Sequence, residues 1–266
     1  AENRKMGAML SFYVKDAKKE NDKATAADSA TIMILDLEGE GLRTMKIVPD
    51  RGINRVYWRF DKKGVSLDIG KKKAKNSGES GGGGMVLAGD YQVRLSYKGD
   101  SSEVKLTVKS DPRIEYDRDG LKERMKMITN TRVEIESFNM EMDKFRDCRT
   151  TLETIQKLSK EQAGDTLKTA TKEIDKKLKA LEKDIFGGEE VQGIFRDKNS
   201  FRTKIGPMLY LGYSNQALTP NQMVGVEKAL EELNLMEVRI QDFLEKEWKS
   251  FRILVEYQDL SLFGGK

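Results

Sequence analysis

Apolar positions in the first part of the chain recur every second residue. Tyr91, Val93, Leu95 and Tyr97 alternate with Gln92, Arg94, Ser96 and Lys98. Val104, Leu106 and Val108 alternate with Lys105, Thr107 and Lys109, and Val56, Trp58 and Phe60 with Arg55, Tyr57 and Arg59. A period of two sends one face of a strand to a core and the other to water, the mark of an antiparallel sheet. Further strands are expected over Ala8–Val14, Ala30–Leu37 and Leu42–Val48. Glu38-Gly39-Glu40-Gly41 should turn between the last two, and Lys98-Gly99-Asp100-Ser101 between the final pair. About six or seven such strands predict an Ig-like β-sandwich, with a small barrel as the alternative.

From Leu121 the period changes to three and four. Leu121, Met125, Ile128, Ile135, Phe138, Met142 and Phe145 begin one long amphipathic stripe that runs on to Leu158, and Leu167, Ile174, Leu178, Leu181 and Ile185 form a second, closed by Gly187-Gly188. A further helical stretch is expected over Phe195–Gly212, bent or interrupted at Gly206-Pro207. Thr219-Pro220-Asn221-Gln222 reads as a capping box opening a last helix, whose apolar face runs from Met223 to Leu254. One stripe per helix requires the helices to bury one another. The expected fold is therefore α+β and multidomain: a sandwich over 1–112, then an antiparallel three- or four-helix bundle over 113–266. The near-heptad seam keeps an intermolecular coiled coil open. Asp111-Pro112-Arg113 marks the boundary.

Composition changes this picture little. Of the 266 residues, 35% are charged and 38% hydrophobic, as long solvated helices allow, and the net charge of +4 is a weak bias. No nucleic-acid partner is expected on that basis. No run of about 20 apolar residues is present, so no membrane span is expected. The chain opens Ala1-Glu2-Asn3 without a signal peptide, which by itself says nothing of location.

The chemistry-bearing residues point away from catalysis. The chain has no histidine and one cysteine, Cys148. That removes Ser-His and Cys-His nucleophile pairs, His-containing zinc sites and any internal disulfide. Cys148 falls in the helical pattern and reads as a small packed side chain. The run Gly78-Glu79-Ser80-Gly81-Gly82-Gly83-Gly84, after Lys71-Lys72-Lys73-Ala74-Lys75, invites a phosphate-loop reading. No Lys-Ser or Lys-Thr follows the glycines and no helix begins there, so it reads as a solvated loop between strands. Asp117-Arg118-Asp119-Gly120 lacks the later ligands of a calcium loop and reads as the charged start of the first helix. Trp58 shares a face with Val56 and Phe60 and is expected in the core rather than on a binding surface. No catalytic, cofactor-binding or metal-binding residue is expected, and no cofactor.

The strand residues also carry a resemblance. Ile34-Leu35-Asp36-Leu37-Glu38-Gly39, Gly41-Leu42-Arg43-Thr44-Met45, Gly52-Ile53-Asn54-Arg55-Val56-Tyr57-Trp58 and Ala88-Gly89-Asp90-Tyr91-Gln92-Val93-Arg94-Leu95 form a series. It resembles the Ig-like domain of the flagellar hook-capping (FlgD-type) family. With Asp111-Pro112-Arg113 and the helices behind it, the series is similar to the C-terminal region of bacterial proteins with sortilin-type or sialidase-like β-propellers, labelled glycosyl hydrolase-like. After Trp58 the chain departs from that pattern, with Arg59-Phe60-Asp61 where the family has an acidic residue and then Arg. The resemblance implies a periplasmic, cell-surface or secreted setting. It implies a non-catalytic accessory module that packs against its own upstream propeller or another protein. The alternatives are a substrate-positioning part of a glycan or peptide hydrolase, and a helical module that self-assembles.

Overall fold

The computed structural model describes residues 5–16, 29–70, 83–162, 164–187, 199–214 and 216–257. The fold is α+β, with antiparallel sheets and helices. The strands are β1 (Ala8–Val14), β2 (Ala30–Leu35), β3 (Gly41–Ile47), β4 (Gly52–Trp58), β5 (Gly89–Tyr97) and β6 (Asp100–Val108). β1 pairs with β4 alone, and the other four form a sheet in the order β3-β2-β5-β6. The chain divides into two compact units, one of Ala1–Val65, Ser77–Thr129 and Leu211–Leu218, the other of Ser66–Asn76, Asn130–Tyr210 and Thr219–Lys266.

In the first unit the alternation places the core as expected. Ile32, Ile34, Trp58, Tyr91 and Val93 are buried together, with Leu10, Phe12 and Val56 packed against them. Trp58 is fully buried, edge-on to Phe60 and Tyr91 at centroid distances of 5.4 and 5.8 Å. Its indole N–H donates to the Asp61 carbonyl at 2.9 Å, which satisfies the one polar atom that burial would penalise. The β5–β6 turn uses Lys98 at φ 49° and Gly99 at φ 90°, the two left-handed residues a two-residue hairpin needs. β6 departs from the expected alternation. Val104 lies across from the buried Val93, yet is 60% exposed, because β6 is an edge strand paired only to β5.

The helices are α1 (Arg118–Gln162), α2 (Asp165–Phe186), α3 (Phe201–Lys204), α4 (Gly206–Leu209), α5 (Pro220–Asp242) and α6 (Lys249–Glu256). α1 opens on Asp117, whose carboxylate accepts the Gly120 N–H at 2.9 Å, so Asp117-Arg118-Asp119-Gly120 is a helix start. α5 opens on the expected capping box of Thr219 and Gln222. α2 closes at Gly187, φ 87°; Gly188 lies outside the described residues.

In the second unit Phe138, Met142, Phe145 and Leu152 of α1 are buried, as are Leu167, Leu178 and Ile185 of α2 and Leu233 and Ile240 of α5. Phe138 packs on Phe201 at 5.7 Å and Phe145 on Phe243 at 5.8 Å. Arg149 ties α1 to α2 through Asp175 at 2.6 Å and Glu182 at 2.7 and 2.8 Å.

Of two expectations here, the interruption at Gly206-Pro207 is found and the uninterrupted last helix is not. The described part of the Phe195–Gly212 stretch is two four-residue helices and a 3-10 turn, with Pro207 in the first turn of α4, where its missing N–H costs little. The last helix is not a uniform seam. It widens to a π-helix over Phe243–Trp248, shifting the register of α6 relative to α5, and Phe251 still reaches the core.

Candidate functional site

The first unit carries a cleft of about 490 Å³. One wall is the extended segment Met85–Ala88; the facing wall is the N-terminal part of α1, through Leu121, Met125 and Ile128. The spacing of these three positions puts them on one helix face. The walls approach closely at Gly84, φ 85°, where a Cβ would meet Ile128 Cδ1 at 2.9 Å and Met125 Sδ at 3.2 Å. Any side chain there would push the segment off the helix and strain the left-handed backbone.

The segment's backbone is already committed. Val86 N–H donates to the Phe60 carbonyl at 2.7 Å, Ala88 N–H to Tyr116 Oη at 2.8 Å, and the Leu87 carbonyl accepts from Tyr91 Oη at 2.6 Å. Burial pushes the Tyr91 phenol above its ordinary value, with Tyr116 and Asp36 adding to the effect, so it remains a donor.

The charged groups of the cleft are unequal. Asp111 is held by Arg113, whose N–H, Nε and Nη2 donate at 3.0, 2.9 and 2.6 Å; those bonds bring its carboxyl down to about 2. Asp117 caps α1, and Glu115 is exposed to water. Arg124 differs from all of these. It is 4% exposed, lies on the apolar face between Leu121 and Ile128, and donates three hydrogen bonds, all to backbone carbonyls. Nε and Nη2 reach the Leu211 carbonyl at 3.1 and 2.5 Å, and Nη1 the Gln216 carbonyl at 2.9 Å. These bonds tie Leu211 and Gln216 to the N-terminal part of α1. No carboxylate among the described residues pairs with the guanidinium, and burial lowers its pKa from the usual arginine value.

Trp58 and Cys148, singled out in the sequence, lie elsewhere. Trp58 is in the core. Cys148 is buried in the second unit, with its thiol pushed up to about 12 by burial and then by Asp147. It is a packed side chain, as its helical position suggested. Of the run Gly78–Gly84, residues 78–82 lie outside the described residues, as does the basic stretch 71–75 before it; Gly83 and Gly84 are described. On one side of it, Lys62 N–H donates to the Gly84 carbonyl at 2.8 Å; on the other, Asp68 and Gly70 carbonyls accept from Arg146 at 2.8–3.1 Å. Among the described residues no cluster of acidic or sulfur ligands could hold a metal ion. No helix among them is long and apolar enough to cross a membrane.

The cleft and Arg124 were not picked out by sequence reasoning. The available signal was a cation on an apolar helix face, three residues after Leu121 and four before Ile128. Compared with known proteins, the chain matches no protein family, no curated protein and no solved structure.

Proposed function

We propose that this chain is a non-catalytic binding module whose recognition surface is the cleft of the first unit. In this reading the two sheets that share Trp58 are the faces of an Ig-like sandwich of FlgD type, and the helices of the second unit form an antiparallel bundle. The setting implied by the sequence resemblance is the C-terminal accessory region of a larger exported bacterial β-propeller protein, in the periplasm, at the cell surface or secreted. The partner is then the upstream propeller or another protein or ligand in that compartment.

The observation that carries the reading is the cleft, of a size suited to a small ligand and with apolar walls. Two of its carboxylates favour binding over chemistry: Asp111 is neutralised by Arg113 and Asp117 is occupied by the helix start. Acid–base catalysis needs a group poised to exchange a proton near neutrality, and an Asp111 carboxyl at about 2 is far from that.

The test is turnover by the chain on a panel of chromogenic glycosides and fluorogenic peptides, beside a Leu121→Arg variant that blocks the cleft. The reading expects no difference between the two. Turnover that the variant abolishes would overturn it and make the cleft an active site.

A further inference from the structure

We propose that the cleft binds a small apolar monocarboxylate and that Arg124 receives its carboxylate. The proposal deepens the binding-module reading and rests on it. It begins with a charge that is out of place. A guanidinium has five N–H groups, and Arg124 spends three of them on the Leu211 and Gln216 carbonyls. Two remain, in a side chain that is 4% exposed. Buried charges are ordinarily paired, because an unpaired one loses its hydration without recovering it from an opposite charge. Arg149, in the second unit, shows the ordinary solution, with Asp175 and Glu182 both bound to it. Arg124 has carbonyl dipoles only, and it lines a cleft. The missing partner is an anion that arrives with a ligand.

The planar fork of the guanidinium selects carboxylate geometry. The carboxylates that line the cleft do not compete for that role: Asp111 is taken by Arg113, Asp117 caps α1, and Glu115 is in water. The body of the ligand is set by the walls. Beside Arg124 stand Leu121, Met125 and Ile128, and opposite them Val86 and Leu87. A peptide would need hydrogen-bond partners along that path. The backbone groups of Val86, Leu87 and Ala88 described above are already bonded to Phe60, Tyr91 and Tyr116. A hydrocarbon body makes no such demand, and about 490 Å³ accommodates a medium-chain or aryl acid.

The experiment titrates the chain by calorimetry with octanoate and with octanamide, which share length and shape and differ in charge. Octanoate should bind saturably at one site, and octanamide at least about tenfold more weakly. Arg124→Met should bring octanoate down to the amide level. Because that variant also releases the Leu211 and Gln216 carbonyls, Arg124→Lys is the second variant; it keeps the charge and should keep a preference for octanoate. Leu121→Trp, which fills the cleft without touching the Arg124 bonds, should remove binding of both. Equal binding of octanoate and octanamide would overturn the proposal, as would undiminished octanoate binding to Leu121→Trp. An acetylated tripeptide ending in a free leucine carboxylate is the remaining arm; tighter binding than octanoate would overturn the small-molecule assignment in favour of a peptide C-terminus. Turnover in the hydrolase panel tests the binding-module reading, whereas loss of the charge preference tests this proposal alone, so the two failures separate.

Discussion

Replacing Trp58 with alanine should unravel the first unit's core more than any other single truncation there. The indole is fully buried, touches Phe60 and Tyr91 edge-on, and satisfies the Asp61 carbonyl. Truncating a buried tryptophan to alanine costs about 3–5 kcal/mol in transfer and cavity terms. Within that sum, each edge-to-face contact contributes about 0.5–1.5 kcal/mol beyond area and the indole bond about 1 kcal/mol. Hydrogen exchange of the β2 and β5 amides, followed by mass spectrometry, reads the local opening free energy. At about 1.4 kcal/mol per decade, Trp58→Ala should speed exchange there by about two to three and a half powers of ten. Trp58→Phe keeps an aromatic edge but leaves the Asp61 carbonyl without its donor, and should fall about one power of ten short of wild type. Exchange in Trp58→Ala within about threefold of wild type would refute the core assignment of Trp58.

The other predictions concern separate features. Arg149→Met should lower the stability of the second unit by about 2 kcal/mol, measured by urea unfolding of helical circular dichroism, because two part-buried carboxylates lose a charged donor. At Asp175 burial acts to raise the pKa, but the bonds from Lys179 and Arg149 outweigh it and the net shift is downward. Its contribution is therefore complete above the unfolded value of about 3.9 and lost as pH falls through the lower folded value; Arg149→Met should flatten that acid limb. Cys148 should resist iodoacetamide at pH 8 in the folded chain and react on unfolding, since burial holds its thiol at about 12. Gly83→Ala should destabilise more than Gly99→Ala in a thermal melt: a Cβ at Gly83 meets the Lys63 carbonyl oxygen at 2.1 Å, whereas at Gly99 space is open and only the left-handed φ costs, about 1–2 kcal/mol.

The elements were legible where a local rule decides them. Alternation placed β5, and the Thr219–Gln222 box placed the start of α5, because one face or one cap is fixed by nearest neighbours. Val104 shows the limit of that logic: alternation says which face a residue takes, but not whether anything covers that face at a sheet edge. The π-helical turn at Phe243–Trp248 was invisible because the apolar spacing there fits a helix of either pitch. The cleft was invisible for a different reason. It is made by Met85–Ala88, the start of α1, and Ser214, Gln216 and Ala217, distant in sequence and assembled only by the tertiary fold. Arg124 left a trace, a cation on an apolar stripe, but that trace does not tell a long side chain that bends out to water from one that stays buried.

The most direct test of the cleft as the recognition site uses the methionines. The chain has 12, and selective ¹³C-methyl labelling resolves them by NMR. Met85 and Met125 line the cleft, while Met142, Met208 and Met236 are buried in the second unit. Saturating octanoate should shift the Met85 and Met125 methyl signals, each assigned by its own Met→Leu variant. Shifts confined to Met142, Met208 and Met236, or none at saturation, would contradict the account.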